Sequence, residues 1–325
     1  MKKILVSGAS GIVGYGILKS LRRSGKKLTL IGAAMYDDSV APGFCDIFEL
    51  APPTAAPGYL DWLKNTIARH QIDLIIPGIE IDMYTWEQHA AEIEQAGCRI
   101  LLNRISLVKL CRDKWEFYEA LRGQAPQYAI DSSLEADFDR LADAFGRPFL
   151  LKPRRGFGSK GIVRVADAAT FANWRNDMGN ILMAQPIVGD DEQEYTTSAF
   201  CDGKGGYHAY MTLRRKLSKD GFTDKAEVAD PPGIEAALLS LCAIFKPLGP
   251  TNFQFRLHNG QLKLLEINPR ISSSTSIRAA FGYNESDMAV DWFLEGQVPT
   301  QPTIRRGKAV RYTEDFIFYE NRTDL

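Results

Sequence analysis

The apolar tripeptide Ile4-Leu5-Val6 runs into the glycine turn Ser7-Gly8-Ala9-Ser10-Gly11. A segment over 12–23 follows, with apolar residues at 13, 17, 18 and 21, which is helical spacing. Strand, tight turn and helix in that order commit the start of the chain to a βαβ unit, because a parallel neighbour is reached only through a crossover. Further strand patterns at 28–31, 46–50, 73–77 and 99–102 alternate with helical patterns at 59–70 and 80–95. Alternation of this kind predicts a parallel sheet covered on both faces, so residues 1–103 read as a doubly wound, Rossmann-like domain.

From residue 104 the pattern changes. Two short helices are expected around Asp113-Lys114, then a strand at 128–130, a helix at 134–145 and the strand Phe149-Leu150-Leu151-Lys152. A basic glycine loop, Pro153-Arg154-Arg155-Gly156-Phe157-Gly158-Ser159-Lys160-Gly161, leads into a strand at 162–165. The remainder is richer in β-structure, with strands at 192–201 and 207–215, a hairpin over 251–268 and one clear helix at 234–245. Residues 104–185 and 186–325 therefore read as two α+β subdomains behind the parallel sheet.

Charge and composition narrow the function. With 39 Lys and Arg against 40 Asp and Glu, the net charge of −1 gives no footprint for nucleic acid, so any anion site must be local. No apolar run approaches the ~18 residues of a membrane span, and the short apolar start ending at Ser7-Gly8 is no signal core. A cytoplasmic protein is expected. Five scattered cysteines without CxxC or Cys/His spacing argue against disulfides and zinc. The four histidines show no metal spacing, and the tryptophans read as core residues of amphipathic helices.

Two segments carry chemistry. Closely spaced glycines let backbone N–H groups wrap phosphate oxygens, and Arg154, Arg155 and Lys160 add positive charge, with Lys152 at a strand end within reach. A solvated turn between strands would look similar. In the hairpin, Glu266 and Asn268 are two apart and share a face, with Gln254 offered from the partner arm. One carboxylate and two amide oxygens, completed by phosphates, suit Mg²⁺; the polar face of an edge hairpin is the alternative. Asn259-Gly260 invites a two-residue turn, but that register would put Gln254 and Glu266 on opposite faces. An odd loop, His258-Asn259-Gly260 with a bulge at the glycine, sorts polar from apolar residues and is the register expected.

Together these residues resemble the ATP-grasp superfamily, and within it a single ATP-grasp unit of the carbamoyl-phosphate synthetase large chain. The resemblance covers nearly the whole chain and is strongest from Asn252-Phe253-Gln254-Phe255 through Glu266-Ile267-Asn268-Pro269-Arg270. It implies ATP and Mg²⁺ as cofactors. Lys114 and Lys152 would contact phosphates, and Gly156, Gly158, Ser159 and Gly161 would form the loop closing over them. The backbone near Gln185 and Ile187 would meet the adenine edge, and Glu194 would hold the ribose hydroxyls. Gln254, Glu266 and Asn268 would bind the metal, and Arg270 would be the catalytic group on the phosphoryl in flight.

The implied reaction is ATP-dependent ligation of a small carboxylic acid to an amine through an acyl phosphate, releasing ADP and phosphate, with a homodimer left open. Two departures separate the chain from the synthetase. Ile271-Ser272 follows Asn-Pro-Arg where the family has a second arginine, and Arg214-Arg215-Lys216-Leu217 replaces its Gly-Ile-His-Thr-Gly stretch. A carboxylic acid other than bicarbonate fits better. Glu80 and Asp82, just past a strand end, are candidate contacts for an amine-bearing substrate. The glycine turn at 8–14 also resembles that of nicotinamide-dependent reductases, but the one Tyr-x-x-x-Lys match, Tyr15 to Lys19, lies inside the first helix. A non-catalytic ATP-binding module is the third reading.

Overall fold

A computed structural model describes residues 1–156, 160–319 and 322–323. The first hundred residues run β1 (Lys2–Val6), α1 (Ile12–Arg22), β2 (Leu28–Ala34), β3 (Ile47–Leu50), α2 (Tyr59–His70), β4 (Leu74–Ile76), α3 (Glu80–Gln88), α4 (Ala90–Gln95) and β5 (Arg99–Ile100). The strands form a parallel sheet in the order β3-β2-β1-β4-β5. Pleating sends alternate β1 residues to two cores. Ile4 and Val6 pack with Ile17, Leu18 and Leu21 of α1, whereas Leu5 packs with Leu63 and Ile67 of α2 and with Trp86. The helix expected over 80–95 is broken at His89, where the backbone leaves the helical region between α3 and α4.

The glycine turn acts as a packing device. A Cβ on Gly14 would lie 2.2 Å from the Gly8 carbonyl oxygen, and one on Gly78 would lie 2.1 Å from the Ser7 oxygen and 2.9 Å from Gly14 Cα. The turn, the first helix and the chain after β4 are thus in backbone contact, which only glycine permits.

Next come α5 (Ile105–Cys111), α6 (Lys114–Gln124), α7 (Phe138–Phe145), β6 (Phe149–Pro153), β7 (Val163–Val165), α8 (Ala168–Ala172) and β8 (Leu182–Pro186). The strands make a small antiparallel sheet in the order β7-β6-β8. The strand expected at 128–130 is absent: Pro126–Tyr128 is a single 3₁₀ turn, because Pro126 presets its φ and removes a donor. The helix expected from 134 starts later, where Asp137 accepts a hydrogen bond from Arg140 N and caps it.

The last part contains β9 (Glu194–Asp202), β10 (Tyr207–Leu217), β11 (Thr223–Val228), α9 (Ile234–Phe245), β12 (Leu248–His258), β13 (Gln261–Asn268), α10 (Thr275–Ala280), α11 (Glu285–Val290) and β14 (Lys308–Val310). Its six-stranded antiparallel sheet is ordered β13-β12-β9-β10-β11-β14. Ala289 and Val290 of α11 return to the first domain and join the core beneath α1.

The β12–β13 hairpin corrects one expectation and meets its consequence. The turn is the two-residue Asn259-Gly260 type, with φ +50° and +76° and His258 opposite Gln261, so the odd loop is not formed. The register instead shifts between Phe255, opposite Leu264, and Gln254, opposite Glu266. Leu265 is the extra residue of a bulge. Parity changes there, away from the turn, and Gln254 and Glu266 share a face.

Candidate active site

The small sheet, the open face of the six-stranded sheet and the C-terminal ends of β1 and β4 enclose a cavity of about 600 Å³. In an open α/β sheet this end, where the strand order reverses, is where ligands gather. Lys152 enters from β6, Lys114 from the first turn of α6 and Gln185 from β8; Glu194, Gln254, Glu266, Asn268 and Arg270 enter from below, and Gly156 lies at the rim. Pro186 and Val188 line the cavity but Ile187 does not, and Gly161 stands outside, packed on Pro153. Gly158 and Ser159 lie outside the described residues.

Asp113, passed over in the sequence, organises the basic end of the cavity. Its Oδ1 caps α6 by accepting from Trp115 N at 2.9 Å, and its Oδ2 pairs with Arg154 at 2.9 Å and Arg155 at 2.8 Å. Burial works against its charge, but the bonds from Arg154 and the helix N–H groups hold its carboxyl below the usual range. Asp followed by Glu three residues on, at 113 and 116, was the readable signal. The cap places Lys114, whose Nζ donates to the Gly156 carbonyl at 2.7 Å. Burial pulls the Lys152 ammonium down to about 8, with Glu266 opposing that shift and Arg256 and Lys114 adding to it.

The floor departs from expectation at two positions. Glu194 is a carboxylate held by two arginines: Oε1 accepts from Arg215 Nε at 3.1 Å and Nη2 at 2.9 Å, and Oε2 accepts from Arg256 Nε at 3.0 Å and Nη2 at 2.9 Å. Gln254 Oε1 accepts from Arg215 Nη2 at 2.7 Å, so the oxygen expected on a metal is on a guanidinium. Arg256 follows the parity of Gln254 along the strand and was legible as part of the polar face. Arg215 was not, because strand alternation cannot say which distant carboxylate a side chain meets.

Beside them, Asn268 Nδ2 donates to Glu266 Oε1 at 3.0 Å. Arg270 reaches across to the first domain, where its Nε donates to Glu80 Oε1 at 3.2 Å and its Nη2 completes an ion pair with the same oxygen. Asp82, the other expected substrate contact, is instead buried below the sheet end, accepting from Thr54 Oγ1 at 2.5 Å and Tyr59 Oη at 2.9 Å. Among the described residues no group of three or more His, Cys, Asp or Glu is placed to hold a metal. A hard cation here would have to combine the Glu266 carboxylate with amide and phosphate oxygens, a donor set that fits Mg²⁺.

Residues 183–316 match a family model described as ATP-grasp in the biosynthetic pathway with Ter operon. The carbamoyl phosphate synthase large chain of Archaeoglobus fulgidus is 26% identical over 202 residues, covering 56% of this chain and 18% of that one. The Thermotoga maritima large chain is 21% identical over 355 aligned positions, covering 98% of this chain and 32% of the relative. Residues 183–316, about two fifths of the chain, are thus similar to an ATP-grasp family. The chain spans about a third or less of the length of these curated relatives.

Solved structures share the fold of this chain. N5-carboxyaminoimidazole synthetase from Staphylococcus aureus, in a form complexed with ADP, superposes with a TM-score of 0.71 at 18% identity over 93% of this chain and 80% of that one. The biotin carboxylase domain of Hydrogenobacter thermophilus 2-oxoglutarate carboxylase, solved with MgADP and bicarbonate, gives 0.71 at 14% identity, covering 94% of this chain and 73% of that one. No helix among the described residues is long and apolar enough to cross a membrane.

Proposed function

We propose that this chain is an ATP-grasp ligase that phosphorylates a small carboxylic acid with ATP and passes the acyl group to an amine. The observation that carries the reading is the gathering of Lys152 from the small sheet, Glu266 and Asn268 from the six-stranded sheet, Arg270 from the turn after β13 and Lys114 from the start of α6 around one cavity of about 600 Å³. Moving a phosphoryl group onto a carboxylate brings two anions together, so the site needs fixed cations more than covalent chemistry. Lys114 and Lys152 hold the polyphosphate, Glu266 and Asn268 hold Mg²⁺, and Gln185, with Pro186 and Val188, borders the base. When bound, Mg²⁺ supplies charge neutralisation between the phosphates.

Arg270 sits where the transferred group meets the acceptor acid. Its pairing with Glu80 keeps the guanidinium aimed at that point, and an incoming carboxylate competes with Glu80 for it. The amine then enters from the parallel-sheet end, bordered by Ile12, Ile81, Tyr84 and the released Glu80 carboxylate. Cys111 borders the same space, but burial and the nearby Glu266 and Glu80 push its thiol up, so it does not act as a nucleophile. A nicotinamide reading lacks support, since the glycine turn is filled by backbone contacts and Tyr15 stacks on Phe44 at 5.4 Å.

Screening amino acids and small carboxylates with amines for ATP consumption tests the proposal. ADP and inorganic phosphate are the expected products. AMP and pyrophosphate would overturn the acyl-phosphate route, and nucleotide binding without turnover across the screen would favour a non-catalytic module.

A further inference from the structure

We infer that Arg215 takes the place of a metal ion on Gln254, so that the nucleotide binds with one divalent cation, held by Glu266 and Asn268, and Arg215 supplies the remaining fixed charge. The inference rests on the ATP-binding reading above. Its starting point is an occupied oxygen: Gln254 Oε1 accepts from Arg215 Nη2 at 2.7 Å. The same carboxamide uses its Nε2 on Asn252 Oδ1 at 3.4 Å, which fixes which end faces the guanidinium.

Arg215 has little freedom to leave. Its side chain is 4% exposed, and Nε and Nη2 both donate to Glu194 Oε1. Glu194 is itself pinned on its other oxygen by Arg256. Withdrawing Arg215 would leave a buried carboxylate half-paired and a buried guanidinium unpaired, a costly exchange. The bond to Gln254 therefore belongs to a rigid frame, and Arg215 still borders the cavity.

Gln254 stands directly opposite Glu266 across the hairpin. A second cation bridging these two would have to share the Gln254 oxygen with a guanidinium already bonded to it, with like charges in contact. Glu194 cannot compensate, since both its oxygens are engaged by arginines. Among the described residues, Glu266 is then the carboxylate of this floor that no arginine holds; Asn268 stands beside it, its Nδ2 on Glu266 Oε1 at 3.0 Å and its Oδ1 taking a longer bond of 3.3 Å from Arg270 Nη2, a guanidinium 15% exposed whose main partner is Glu80. One carboxylate with phosphate oxygens is a sufficient Mg²⁺ site.

The test uses the full chain, ADP and Mn²⁺ as the probe, counting Mn²⁺ bound per bound ADP by electron paramagnetic resonance beside an independent measurement of ADP binding. One Mn²⁺ per ADP is expected in the native protein and in Gln254→Leu, with Mn²⁺ affinity in Gln254→Leu within about threefold of native. Arg215→Met, which frees the Gln254 oxygen, should take up a second Mn²⁺. Two Mn²⁺ per ADP in the native protein, or loss of Mn²⁺ in Gln254→Leu, would overturn the inference even if Arg215→Met fails to fold. A folded Arg215→Met that still binds one Mn²⁺ would overturn it too. Failure of ADP to bind at all would overturn the nucleotide reading, and the inference with it.

Discussion

β1 and β9 both lie inside their sheets, yet they bury opposite chemistries. Ile4, Leu5 and Val6 of β1 are fully sealed between helices, and any apolar side chains of similar size would fill that space. β9 buries Glu194, Thr196, Thr197 and Ser198 in succession. Each of these needs a named partner: Arg215 and Arg256 for Glu194, the Asn252 carboxamide for Thr196 at 2.7 Å, Thr212 for Thr197 at 2.9 Å, and Glu285 for Ser198. Apolar burial gives a scaffold that tolerates change. Polar burial gives one arrangement or a large penalty, and the cavity floor is built from the second kind.

The largest expected effect tests that penalty away from the cavity. Arg278 and Glu285 form an ion pair with side chains 0% and 1% exposed; Ser198 and Ser272 add hydrogen bonds to it, and among the described residues the buried Arg278 Nη1 has no partner. Glu285→Gln should destabilise the protein by about 3–5 kcal/mol, and Arg278→Met with Glu285→Leu should recover most of that loss. Urea unfolding measures both. A single-variant cost under about 1 kcal/mol would remove the contrast between the two sheets.

Next comes the contact joining the two regions, Arg270 with Glu80. Arg270→Ala should lower kcat by roughly 10²–10³ while nucleotide affinity stays within a few fold, because the contact strengthens as charge develops on the transferred group. Near-normal turnover would exclude the assigned role.

In the parallel-sheet region the sensitive feature is backbone approach. Gly14→Ala should cost about 1–3 kcal/mol, since the added methyl would lie 2.2 Å from the Gly8 carbonyl oxygen, more than 1 Å closer than van der Waals contact allows. Gly123, with nothing within 4 Å of an added Cβ, is the control and should tolerate alanine. Equal unfolding midpoints for the two variants would show that the turn has room for a ligand.

The smallest effect is a pH dependence. With the Lys152 ammonium at about 8 in the ligand-free protein, polyphosphate binding favours the charged form. Metal-free ADP affinity should be level in this respect below pH 8 and fall by up to tenfold per unit above it, about 1.4 kcal/mol. Lys152→Met should flatten the profile. The linked stability has the opposite slope: between about 8 and the ordinary 10.5 the unfolded chain binds more protons, so this group makes the ligand-free protein more stable as pH rises. A flat native titration from pH 7 to 9.5 would detach Lys152 from the phosphates.

The first region was readable almost element by element, since apolar periodicity reports burial directly and α2 runs over the residues its pattern marks. Position 82 was misread because proximity to a strand end does not tell a cavity-facing carboxylate from one buried beneath Tyr59. The hairpin shows the limit in finer detail. Polar sorting led to the right shared face for Gln254 and Glu266 through the wrong device, a three-residue loop in place of a bulge at Leu265. Parity along a strand is a local property, and the place where the ladder slips is not.

What the amino-acid order alone determined is therefore the alternation of strands and helices, the parallel sheet, the superfamily resemblance and the set of polar residues that belong on one face. Tertiary structure decided how those residues are spent: Glu194 on two arginines, Gln254 on Arg215, Arg270 on Glu80 across the two regions. Hydrophobic burial follows from composition and period because it is non-directional. A hydrogen-bonded ion pair is directional and needs its atoms about 3 Å apart, so its partners exist only once strands far apart in sequence have been laid side by side.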